Sequence, residues 1–106
     1  MGRSVNRGEV WVAEVGRKRR PVVVLTRDEV LDVRALVTVA EVTTTRRGLA
    51  AEVAIDHEAV GIDDDSVINC DGLHTVAQTT VTQRLGKIDD ETMERVCWAV
   101  GYALGC

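Results

Sequence analysis

The chain has 106 residues, 45% of them apolar and 28% charged, with a formal net charge of −4. That length holds one domain with one core, and no apolar run approaches the ~20 residues a membrane span needs. Three widely spaced cysteines without a C-x-x-C pattern argue against a disulfide framework and a zinc site, and point to a reduced, cytoplasmic setting. The first ten residues hold no apolar signal core, and the residues after Met1-Gly2 do not fit the myristoylation pattern. The net charge hides an asymmetry. Residues 1–50 carry ten Lys/Arg against six Asp/Glu, and residues 51–106 carry three against eleven, which predicts a basic face on an acidic body.

In chain order, Glu9–Val15 alternates apolar and polar residues and predicts a strand. Gly16 to Arg19 is a short basic loop. Arg20–Thr26 reads as a buried strand, because Pro21 suits its first positions and an unbroken apolar run follows. Asp28–Asp32 is a turn or a single helical turn. The Val/Thr-rich Val33–Thr45 predicts a long strand, followed by a polar loop from Thr44 to Gly48 and a short strand near Glu52–Ile55. Asp56–Asp65 reads as an acidic loop. Ser66–Cys70 and Leu73–Ala77 read as two strands about an Asp71-Gly72 turn, with another strand at Arg84–Ile88. Asp89 is the expected N-cap of a C-terminal helix, with Met93, Val96, Cys97, Val100 and Leu104 on one apolar face. This order predicts a small, mostly antiparallel barrel or sheet closed by the helix.

Few residues carry chemistry. His57 sits in an acidic stretch and reads as a solvated loop residue, whereas His74 follows the predicted turn and can line a site. Asp63-Asp64-Asp65 reads as a solvated loop. Nucleotide-loop and nucleophile-elbow motifs are missing from the sequence. Trp11, Trp98 and Tyr102 are too few for a base-stacking platform and default to packing. The arginines and threonines remain. A guanidinium held at the mouth of a core strand, Arg20, and hydroxyls beside cations at Thr43–Gly48 suit a phosphate and the charge that builds on it during in-line attack.

Arg7-Gly8-Glu9-Val10-Trp11, Arg20-Pro21-Val22-Val23-Val24-Leu25, Thr43-Thr44-Thr45-Arg46-Arg47-Gly48-Leu49, Asp65-Ser66-Val67-Ile68-Asn69-Cys70-Asp71, Leu73 to Val76 and Arg84-Leu85-Gly86 occur in that order. Together they resemble the MazF/PemK family of toxin endoribonucleases across nearly the whole chain. The resemblance implies one domain over 1–106, an SH3-like barrel of antiparallel strands with a C-terminal helix, acting as a homodimer. It implies RNA cleavage without metal or other cofactor, by attack of the ribose 2′-hydroxyl on the adjacent phosphate, and a cognate MazE-like antitoxin. Arg20 and Thr43 fall on the family's catalytic positions. Arg17, Lys18, Arg19, Arg46 and Arg47 are expected to grip RNA, with His74 and Arg84 as further contacts. Many relatives carry a longer Gly-Ser-Glu-Gln loop before the Arg-Pro pair, so its contacts do not carry over, and mRNA, tRNA and rRNA all stay open as substrates. A gyrase-poisoning toxin of the CcdB type, with the same fold and no cleavage, is the alternative.

Overall fold

The computed structural model describes residues 5–106; Met1–Ser4, on which the signal and myristoylation readings partly rest, lie outside the described residues. Six strands form one sheet: β1 (Glu9–Val15), β2 (Lys18–Val24), β3 (Leu36–Thr43), β4 (Glu52–Ala54), β5 (Val67–Ala77) and β6 (Val81–Lys87). Their spatial order is β4-β5-β3-β2-β1-β6, and every pair is antiparallel. One helical turn, α1 (Asp28–Leu31), separates β2 from β3, and the helix α2 (Asp90–Leu104) ends the chain.

The expected barrel does not close: among the described residues the edge strands β4 and β6 are not paired with each other. The reason lies in the long β4–β5 connection. Its Val60-Gly61 backbone lies directly against Leu85 and Gly86 of β6, so irregular chain covers the gap that a ladder would fill.

Both faces of the sheet are buried. Val10, Val23, Ala40, Val42, Ile68 and Cys70 point to one side and pack beneath Val96 and Ala99 of α2. Trp11, Ala13, Val15, Val22, Val24, Val37 and Val39 point to the other, with Leu31 and Val81. This double burial explains why Val22–Leu25 is apolar at every position rather than alternating. Trp11, expected to pack, is buried in the core.

Asp89 caps α2 by accepting a hydrogen bond from Thr92 N at 2.8 Å, and Gly105 closes it with φ 76°. The covered stripe is Thr92, Val96 and Ala99, with Met93, Val100 and Ala103 at its flanks. Cys97 and Leu104 are exposed, so the buried face is rotated from the predicted one; small Ala99 lets that side of the helix approach the sheet. Trp98 and Tyr102, expected in the core, stack on each other in solvent at 5.5 Å, 64% and 58% exposed. Arg7 ties the helix to the sheet: its guanidinium donates to Leu25 O and, at 3.0 Å, to Cys97 Sγ.

Candidate active site

β1 and β2 meet in a two-residue turn, because Val15 pairs with Lys18. Gly16 takes φ 62° and no described non-glycine residue has positive φ, which is the pattern of a type II′ turn. The basic run is therefore mostly strand rather than loop. Side chains alternate along it, so Lys18 and Arg20 share one face with Val22 while Arg19 faces the other way, opposite Glu14. Arg17 is exposed at the turn. Pro21 costs no β3 ladder bond, since β2–β3 pairing begins one residue later at Val22.

Arg20 is held by Glu41. Its Nη1 donates to Glu41 Oε1, and His74 Nε2 donates to Glu41 Oε2 at 2.5 Å. Arg20 Nε is buried without a hydrogen-bond partner, so the guanidinium is gripped at one corner only. Glu41 lies opposite Val22, on the face of β3 that also carries Val37 and Val39. Burial alone would raise its pKa; the hydrogen bonds from His74 and Arg20 and their charges outweigh this and hold the carboxyl below its usual range. Extending the β2–β3 register by two residues sets Thr43 opposite Arg20. Thr43 Oγ1 accepts from Thr45 N at 3.1 Å, which leaves its hydroxyl proton to donate elsewhere.

Arg20 and Thr43 together line two grooves. One, of about 480 Å³, also holds Lys18, Glu41, Arg47, Glu52, Asn69 and Asp71. The other, of about 440 Å³, runs past Pro21 and Thr44 to Gly61, Asp63 and Ser66. The two residues line both grooves and so form the ridge they share. The larger groove carries three cations and three carboxylates, so it is mixed rather than uniformly basic. Glu52 is already occupied, accepting from the backbone N–H groups of Arg47 and Gly48 at 2.9–3.1 Å.

The remaining expected contacts scatter. Arg46 pairs with Asp65 at 2.8 Å on the surface, and Arg84 Nε pairs with Glu9 at 2.8 Å. Glu9 is buried and also accepts from Trp11 Nε1 and Asn6 N, so Arg84 belongs to a structural network at the start of β1. His57, read as solvated, is half-buried and donates its Nδ1–H to Ile62 O at 2.7 Å, bracing the β4–β5 connection. Asp63, Asp64 and Asp65 are exposed as expected. Burial pushes the Cys70 thiol up to about 11, so that sulfur stays protonated and inert.

The Asp71-Gly72 turn is a bulge inside one long strand. The β3–β5 register jumps from Ala40–Leu73 to Glu41–Asn69, which loops out Cys70–Gly72. A Cβ on Gly72 would sit 3.0 Å from Asn69 Nδ2 and 3.1 Å from Glu41 Oε2, so glycine allows the bulge to press on the carboxylate. Sequence reasoning passed over Glu41. The available signal was parity: an acidic residue in register with Val37 and Val39 falls on an apolar face and requires partners there.

Acid stability follows from these carboxylates. For Glu9 and Glu41, burial opposes the shift and hydrogen bonds with cations reverse it; for Asp89, the bonds from Thr92 lead. All three have folded pKa values below their unfolded ones, so their contribution is complete above the ordinary carboxylate range and is lost as pH falls through the folded values. The urea midpoint should hold steady near neutrality and drop below about pH 4. An unchanged midpoint at pH 3 would contradict the network.

Residues 6–104 match the family described as PemK-like, MazF-like toxin of type II toxin-antitoxin system. The chain belongs to this family. It is 41% identical over 103 residues to a probable endoribonuclease, MazF5, of Mycobacterium tuberculosis, covering 94% of this chain and 93% of that one. The solved M. tuberculosis toxin MazF-mt6 superposes with a TM-score of 0.86 at 33% identity, over 92% of this chain and 96% of that one. An endoribonuclease from a mycobacterial species, solved in complex with its cognate antitoxin, superposes with a TM-score of 0.85 at 26% identity, over 95% of each chain. Fold and family thus agree with the resemblance read from the motifs, apart from the open sheet. No helix among the described residues is long and apolar enough to cross a membrane.

Proposed function

We propose that this toxin is a cytoplasmic endoribonuclease that cuts RNA by attack of a ribose 2′-hydroxyl on the adjacent phosphate, without a metal. The observation that carries the reading is the Arg20–Thr43 ridge, lining both grooves of a chain whose relatives are endoribonucleases. Arg20 stabilises the charge on the phosphorane with its free Nη2 while Nη1 keeps its anchor, and the Thr43 hydroxyl donates to a phosphate oxygen. Lys18 and Arg47 hold neighbouring phosphates; Arg17, Arg19 and Arg46 act further out along the RNA. A cognate antitoxin blocks the grooves. The active form is a homodimer, and the stacked Trp98–Tyr102 pair with Leu104 supplies apolar surface of the kind a second copy buries. The CcdB-type alternative gives the ridge no purpose and is disfavoured by the endoribonuclease relatives.

The test is purified, antitoxin-free protein incubated with RNA in EDTA. Cleavage should persist and leave 2′,3′-cyclic phosphate and 5′-hydroxyl ends, with Thr43→Ala slower by about tenfold or more. Intact RNA from folded protein would refute the reading. Three groove cations predict that log affinity for single-stranded RNA falls against log salt with a slope of about −2. A flat salt dependence would remove RNA from this groove.

A further inference from the structure

Cleavage by a 2′-hydroxyl needs a base to take that proton. Arg20 is unsuited, since a guanidinium keeps its charge in proteins. His57 is committed to Ile62 in the β4–β5 connection, and its residue lines neither groove. Glu41 is different. It lines the larger groove beside Arg20 and Thr43, and its side chain is only 16% exposed. A carboxylate offers about four acceptor sites, and Arg20 and His74 take one on each oxygen. The remaining lone pairs are available to the ribose 2′-hydroxyl beside an RNA phosphate held by Arg20.

We propose that Glu41 is the general base of the cleavage step and that His74 positions it. This rests on the endoribonuclease reading. The Glu41 carboxylate takes the 2′-hydroxyl proton as the O2′–P bond forms. The P–O5′ bond breaks, and its electron pair leaves with the 5′-oxygen, which takes a proton from water. The hydroxide so formed recovers the proton from Glu41, so the enzyme returns to its starting state. Arg20 then has two tasks from one position: it fixes the carboxylate through Nη1 and faces the phosphate with Nη2. His74 lines neither groove; through its bond to Oε2 it keeps that oxygen from swinging away. Arg20 and Lys18 from β2, Asp71 and His74 from β5, Arg47 from the β3–β4 connection and Glu52 from β4 are the charged or titratable groups around Glu41.

Glu41→Gln tests the proposal, since the amide oxygen can still accept from Arg20 but cannot take a proton. The variant should stay folded, with its melting temperature lowered by the charge it loses, and keep KM, while kcat falls about 100-fold or more. Its cleavage rate should rise about tenfold per pH unit between pH 6 and 8, as hydroxide replaces the lost base, where the wild type is nearly flat. Glu41→Asp should recover part of the rate, and His74→Ala should lower kcat less than Glu41→Gln does. Glu41→Gln cleaving within threefold of wild type, with the same flat pH profile, would overturn this role and leave the endoribonuclease reading standing. A folded wild type that leaves RNA intact would overturn both.

Discussion

Arg20→Ala should lower the rate of RNA cleavage by about 10²–10³-fold, the size expected when a preorganised donor to a developing oxyanion is removed. Two losses combine. The phosphorane loses its permanent charge, and Glu41 loses one of its two partners, so the carboxylate is no longer aimed. Arg20→Lys separates them. A single ammonium sits at one point and has no planar fork, so it can satisfy Glu41 or the phosphate but not both. Affinity for RNA should survive in Arg20→Lys while kcat falls nearly as far as in the alanine variant. Cleavage by Arg20→Ala within threefold of wild type would remove this residue from the site.

The second large effect is on the fold. Gly61→Ala should destabilise the protein by about 3 kcal/mol, combining the cost of a side chain in the left-handed region with overpacking. Gly61 has φ 76°, and a Cβ there would meet the carbonyl oxygen of Leu85 at 2.6 Å, a contact with backbone that cannot rotate away. For a domain of this size the loss corresponds to a melting temperature lower by roughly 10 °C or more. The same segment walls the smaller groove through Gly61, Ile62 and Asp63, so displacing it should also reduce cleavage. Gly48→Ala is the control. It too has positive φ but meets nothing within 4 Å, so it should cost only the conformational part. Equal melting of the two variants would show that the close approach carries no energy.

What was legible in the sequence and what was not divides along physical lines. β1, β2 and α2 were readable because local signals agreed with long-range ones: alternation, a proline at a ladder's start, an aspartate cap. Arg20 and the Thr43–Gly48 segment stood out separately by their residue types, but that Arg20 and Thr43 lie side by side follows only from the β2–β3 register, since nothing local brings residues 23 positions apart together. The bulge at Cys70–Gly72 was hidden because Asp-Gly signals a tight reversal and a bulge equally well. Covering the β6 edge with Val60-Gly61 depends on where an irregular segment settles, which no period records. Glu41 was readable in principle, but one acid in a valine strand draws attention only after its partners are known.

The hairpin between β1 and β2 has a consequence for how such a toxin diversifies. Arg20 is placed by the pairs Ala13–Arg20 and Trp11–Val22 and by the buried valines after it, all of them on the body side of the turn. Residues inserted at Gly16-Arg17 would lengthen the tip without moving any of these pairs. Turn length is therefore uncoupled from the geometry of phosphate attack. Selection can rebuild the two-residue tip while the strand pairs that place Arg20 stay unchanged.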